Sequence, residues 1–118
     1  MIYTLFFSRL RELDEVQRDQ YETWSARLLA LAEDEHEGFV DMKSFVAEDG
    51  ERLTLVRFHD AATQAAWRRD PLHGEAQRLG RSAFYEEYRI VICDEVRSRS
   101  WSRDDVQGRK DEDEDEDE

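Results

Sequence analysis

Cysteine, proline, glycine and net positive charge are all scarce in this chain, and each scarcity removes a class of protein. Cys93 is the one cysteine among 118 residues, so no internal disulfide framework can form, and its place in an apolar run reads as a small buried thiol. The five glycines build no phosphate-cradling or dinucleotide loop, and there is no nucleophile elbow and no Cys-X-X-Cys pair. Lys and Arg number 17 against 30 Asp and Glu, a formal net charge of −13. Such a surface repels phosphate backbones, and without a basic stripe no nucleic-acid partner is expected. No apolar run reaches the ~18 residues of a membrane span, so no membrane partner is expected either. The lone thiol makes a cytoplasmic location the expectation, and the apolar start, followed at once by Arg9 and Arg11, does not read as a signal peptide with a basic leader and small-residue cleavage site. No His, Cys or carboxylate spacing matches a metal site, so no metal is expected, and an enzyme built this way either borrows its reactivity from the substrate or uses a cofactor that leaves no motif.

What is present reads as one domain with an acidic appendage. Residues 1–97 carry almost all the apolar side chains, residues 98–110 read as an irregular extension, and residues 111–118 alternate Asp and Glu without a break. Like charges repel and nothing there can be buried, so the tail is expected to be disordered. Within the body, residues 2–10 are rich in β-branched and aromatic side chains and read as a strand. Over 15–33 the period changes: Tyr21, Trp24, Leu28 and Leu31 share one helical face. Gly38 then offers a left-handed cap or turn. Residues 39–48 and 52–59 read as strands joined by Asp49-Gly50, a strong hairpin signal. Asp60 is a natural N-cap for a second helix, which Pro71 and Gly74 interrupt before a further turn or two to Leu79. Residues 84–96 form the last strand. The order βαββαβ predicts an α+β, ferredoxin-like fold: a four-stranded antiparallel sheet with two helices on one face.

Alternation along the strands places Phe84, Tyr88, Ile90, Ile92 and Val96 opposite Tyr85, Val91 and Cys93, and Ile2 and Phe6 opposite Tyr3, Leu5 and Phe7. Both faces are apolar, yet two short helices can cover only one. Leaving the other in water forfeits many kcal/mol at about 25 cal/mol per Å2 and invites aggregation. A second copy of the sheet is the simplest cover, so a homodimer is expected.

Several pieces then line up. The strand from Ile2 to Leu10, the turn Glu37-Gly38-Phe39, the run from Ala66 through Trp67 and Pro71 to His73, and the pairs Ala76-Gln77, Gly80-Arg81 and Phe84-Tyr85 together resemble the antibiotic biosynthesis monooxygenase family over residues 1–97. The resemblance implies a dimeric α+β barrel. It also implies one of several activities: cofactor-independent oxidation of phenols or quinols, haem degradation, isomerisation of a signalling metabolite, or a role without assigned chemistry. The leading expectation is a monooxygenase or related oxidoreductase acting without a bound cofactor on a small aromatic substrate, phenolic, quinolic or polyketide-like. The alternatives are a non-catalytic dimeric module that binds a ligand or partner, and a haem-degrading enzyme.

The resemblance also directs attention to the second helix, because the family pocket lies between helices and sheet. Trp67 matches the family's helix tryptophan, which contacts porphyrin in haem degraders; it is otherwise plain core packing. Those degraders carry an axial histidine ten residues after this tryptophan and an asparagine late in the first strand. Gln77 and Ser8 stand there instead, which argues against haem. On an unbroken helix His73 would sit about 240° from Trp67 at ~100° per residue, but a break at Pro71 could return it to the cleft. His73 is then either a base for a phenol or a structural imidazole near the break. A phenol can supply electrons to oxygen once deprotonated, so the protein need only take a proton, hold the ring and exclude water. His73, Trp67 and Arg81 are the catalytic candidates, with Arg81 either steadying a developing phenolate or pairing with Glu86 or Glu87. Ser8, Tyr85 and Tyr88 are the substrate-binding candidates, the tyrosines being otherwise core or dimer-interface residues. His59 reads as a strand-end hydrogen-bonding residue and His36, among acids, as solvated.

Overall fold

The computed structural model describes residues 1–104. The expected disordered tail at 111–118 and most of the second half of the 98–110 extension lie outside the described residues; 98–104 contain no helix or strand. The chain runs β1 (Ile2–Leu10), α1 (Glu15–Glu35), β2 (Phe39–Val46), β3 (Arg52–Phe58), α2 (Ala61–Arg69), α3 (Pro71–Leu79), a π-helical turn (Gly80–Phe84) and β4 (Tyr85–Asp94). The four strands form one antiparallel sheet in the order β2-β3-β1-β4. This is the ferredoxin-like arrangement, with its helices on one face.

Local chemistry sets most of these boundaries. Asp14 opens α1 with a capping box, its carboxylate accepting from the Gln17 amide at 2.8 Å while the Gln17 side chain accepts from the Asp14 amide at 3.0 Å. Asp60 caps α2 through the Thr63 amide at 2.8 Å. Pro71 does more than interrupt a helix. It occupies the first turn of α3, capped by Asp70 at the Leu72 amide, so the second expected helix is two short ones meeting at Asp70.

Two expectations are corrected. Gly38 lies in a turn, as expected, but not a left-handed one; among the described residues Gly50 alone has positive φ, at 90°. Gly38 is needed for space, because a Cβ there would meet the Thr63 hydroxyl at 2.1 Å. The second correction concerns β4. Arg9 pairs with Glu87 but Leu10 pairs with Tyr85, so β4 carries an extra residue there. This bulge reverses the alternation and puts Tyr85 on the same face as Tyr88, not opposite it.

That face holds the core. Ala32, Val56, Phe58 and Trp67 are buried together, with Ile2, Leu28, Leu31, Phe39 and Met42 packed around them. The opposite face carries Tyr3, Leu5 and Phe7 of β1 beside Leu53 and Leu55 of β3 and Val91 and Cys93 of β4, by strand register. No described helix covers it, and Phe45 at its border is 47% exposed. Arg57 and Asp41 make a bidentate ion pair on the same face, with an Nε–Oδ1 distance of 2.7 Å.

Candidate functional site

Four residues of α1, Tyr21, Trp24, Ser25 and Leu28, recur at three- and four-residue spacings and so lie along one stripe of the helix. That stripe stands over one end of the sheet. Phe6 of β1 and Tyr85 and Tyr88 of β4 face it, and Ala76, Gln77 and Phe84 close the side. Together they bound a cavity of about 80 Å3. Its walls are aromatic edges and faces: Phe6 lies 5.4 Å from Tyr85 and 5.3 Å from Tyr88, and Tyr21 lies 5.6 Å from Phe84 at 78°. Such edge-to-face sets hold rings in fixed orientation and leave π-faces for a further ring.

Two structural devices make the cavity possible. The β4 bulge brings Tyr85 to the helix side, and Gly80 lets its ring approach the backbone, since a Cβ at Gly80 would lie 2.6 Å from it. The π-helical turn carrying Gly80 is steadied by Arg11, whose guanidinium donates to the carbonyls of Ser82, Arg81 and Tyr85 at 3.2–3.3 Å. Extra-wide helical turns of this kind recur at functional sites.

No lining residue carries a formal charge. Burial pushes the Tyr85 phenol well above the ordinary tyrosine value, and its hydrogen bond with Tyr21 reinforces the shift. Tyr85 is therefore a neutral wall. Tyr88 differs: its oxygen accepts a 2.9 Å hydrogen bond from Arg81.

Trp67 and His73 are not in this cavity. Trp67 is 3% exposed in the core, against Phe58 and His36. The break at Pro71 does return His73 to it, with the rings 4.5 Å apart and tilted by 34°. His73 Nδ1 is buried without a hydrogen-bond partner among the described residues. Burial holds His73 below the ordinary histidine value, helped by His36 and opposed by Asp70. His36 is not solvated as its acidic neighbours imply. Its Nε2 meets Asp70 Oδ2 at 3.1 Å, tying the end of α1 to the α2–α3 junction. Burial works to raise the Asp70 carboxyl, but hydrogen bonds from His36 and the Leu72 and His73 amides outweigh it and leave it below the usual range. Ser8 is 3% exposed and borders a separate groove with Phe7, Glu51, Glu87, Tyr88 and Arg89.

Of the six residues singled out in the sequence, the structure thus brings Tyr85, Tyr88 and, at one remove, Arg81 together. Trp67 and His73 form a second cluster, and Ser8 lies beside Tyr88 on the neighbouring strand. Trp24 and Ser25 were not anticipated as site residues. Their signal was present as the aromatic face of α1, which periodicity alone cannot distinguish from core. Among the described residues no group of three or more His, Cys, Asp or Glu could hold a metal ion.

Solved structures share this architecture. SnoaB, a cofactor-independent oxygenase from Streptomyces nogalater, superposes with a TM-score of 0.67 over 82% of this chain and 94% of its own, at 11% identity. The fold is that of the antibiotic biosynthesis monooxygenases. A further antibiotic biosynthesis monooxygenase gives 0.65 at 12% identity over 82% of this chain and 100% of that one. Rv0793 from Mycobacterium tuberculosis gives 0.68 at 10% identity over 84% and 98%. In sequence, the uncharacterized protein YqjZ of Bacillus subtilis is 27% identical over 97 residues, 82% of each chain. No protein-family profile matches. No described helix is long and apolar enough to cross a membrane.

Proposed function

We propose that this protein belongs to the antibiotic biosynthesis monooxygenases and oxidises a single-ring phenol or quinol held in the cavity between α1, α3 and the sheet, working as a homodimer. The carrying observation is the cavity itself: uncharged, walled by Phe6, Tyr85 and Tyr88, and of about 80 Å3. The shared fold with a cofactor-independent oxygenase supports the same reading. A deprotonated quinol can pass two electrons to dioxygen, giving quinone and hydrogen peroxide. Alternatively a phenol and dioxygen give quinone and water, one oxygen atom entering the ring and the other leaving with two hydrogens of the substrate, which supplies all four electrons. In either case the protein supplies orientation, dryness and stabilisation of the phenolate.

The lining residues do not fit haem. They offer neither imidazole nor thiolate, Gln77 stands in the wall, and a porphyrin far exceeds the space. One observation favours a second reading, a binding module without catalysis: His73, the histidine closest to a helix break, lies outside the cavity and leaves it without an imidazole base. Oxygen uptake by the purified protein against a panel of hydroquinones and anthrones separates the two. The oxidation reading predicts uptake with single-ring hydroquinones that is lost in Ala76→Phe, which fills the cavity, and retained in His73→Ala. No uptake with any member of the panel, alongside saturable binding, establishes the module instead.

A further inference from the structure

Three tyrosines, Tyr21, Tyr85 and Tyr88, line the cavity. Tyr21 acts on the buried Tyr85 phenol. Tyr88 receives the Arg81 guanidinium on its oxygen at 2.9 Å. A phenolic hydroxyl has one hydrogen and two lone pairs, so an arginine donor occupies a lone pair and leaves the hydrogen for another acceptor. Behind that hydrogen stands a full positive charge. The neighbouring guanidinium of Arg11 is committed to the carbonyls of Ser82, Arg81 and Tyr85, and Arg52 stands over the Tyr21 ring at 5.8 Å. At the Tyr88 end, then, an uncharged lining is backed by one arginine hydrogen-bonded to a lining hydroxyl, while Glu51, Glu87 and Arg89 border Tyr88 from the neighbouring groove.

We propose that Tyr88, backed by Arg81, is the anion-recognising end of the site: its hydroxyl donates to the oxygen of a single-ring phenol as that oxygen becomes negative, selecting the phenolate over the phenol. This rests on the reading of the cavity as a ring-binding site and adds which end of it holds the oxygen. Arg81 is a positioning residue. It does not line the cavity but orients the Tyr88 hydrogen and strengthens its bond, because hydrogen bonds gain when charge develops on either partner. The sequence-based role of Arg81, direct contact with a phenolate, is replaced by action through Tyr88. Tyr88 moves from stacking surface to donor. The acidic surface, with a formal net charge of −13, disfavours ligands that arrive as anions. The arrangement therefore suits a ligand that enters neutral and ionises in place by releasing its proton to solvent water.

The test uses the full 118-residue chain and para-nitrophenol, whose neutral and ionised forms absorb at different wavelengths. Equilibrium dialysis gives binding; absorbance of the bound fraction across pH gives ionisation. Wild type should bind the phenolate about tenfold more tightly than the phenol, lowering the bound dye's pKa correspondingly. Tyr88→Phe and Arg81→Gln should still bind the dye but lose that preference, and Arg81→Lys should restore part of it. Binding with the pKa of the free dye in wild type, or an undiminished preference in Tyr88→Phe, overturns the assignment of Tyr88 while leaving the ring site standing. Absence of binding to any variant, wild type included, overturns both.

Discussion

His73 rests on Trp67 with a buried nitrogen unsatisfied, an arrangement that holds only while the imidazole is neutral. Asp70 and His36 are the charged or titratable groups acting on it, and burial exceeds both, so its folded pKa lies below the 6.5 of a free imidazole. The unfolded chain therefore takes up a proton before the folded one does. The stabilising contribution is complete above about pH 6.5 and is lost as pH falls from there through the lower folded value. Denaturant midpoints between pH 7.5 and 5 should decline, and His73→Phe, which keeps the stack without the titration, should decline less. Equal slopes would show that His73 is not the titrating group. Trp67 beside it should behave as core: Trp67→Ala is expected to cost about 3–5 kcal/mol in chemical denaturation. Trp67→Phe should leave ring binding unchanged, and a large loss of binding would place the ligand at Trp67.

The elements show which sequence signals suffice. Asp60, Asp49-Gly50 and Pro71 act within a few residues of themselves, so the α2 cap, the hairpin and the α2–α3 break were legible. The β4 bulge and the need for Gly38 were not, because each depends on a distant partner, Leu10 in one case and Thr63 in the other. A local period cannot report a register set across the sheet. For the same reason alternation alone puts Tyr85 on the wrong face, and periodicity gives the α1 stripe without saying whether it is core or cavity wall. Gly38→Ala should cost about 1–3 kcal/mol through overpacking, and a Gly38→Ala, Thr63→Ala double variant should recover only part of it, since it removes the Thr63 hydroxyl and methyl but leaves the Thr63 Cβ at 2.7 Å. Additive losses in that cycle would contradict the steric account. Gly80→Ala, by displacing the Tyr85 ring, should weaken binding of a ring more than it lowers the melting temperature.

At the scale of the molecule, the helices cover one sheet face and leave the other apolar across three strands, from Leu53 and Leu55 through Leu5 and Phe7 to Val91. A single chain gains nothing from that surface in water, whereas burying it against a copy stabilises both. Light scattering at micromolar concentration should therefore give twice the chain mass, and a Leu5→Glu, Leu55→Glu variant should give a folded monomer. A folded wild-type monomer would remove the dimer from the account.

Binding of a ring between α1, α3 and the sheet can be read directly at the tryptophans. The three tryptophans sit in three different environments: Trp24 in the cavity wall, Trp67 in the core and Trp101 64% exposed on the extension. Fluorine NMR of the chain labelled with fluorotryptophan, its resonances assigned by Trp→Phe variants, reads all three in one titration with phenol. The Trp24 resonance should move and saturate while those of Trp67 and Trp101 stay in place. Movement of Trp67 with Trp24 unmoved would contradict the account and put the site at α2.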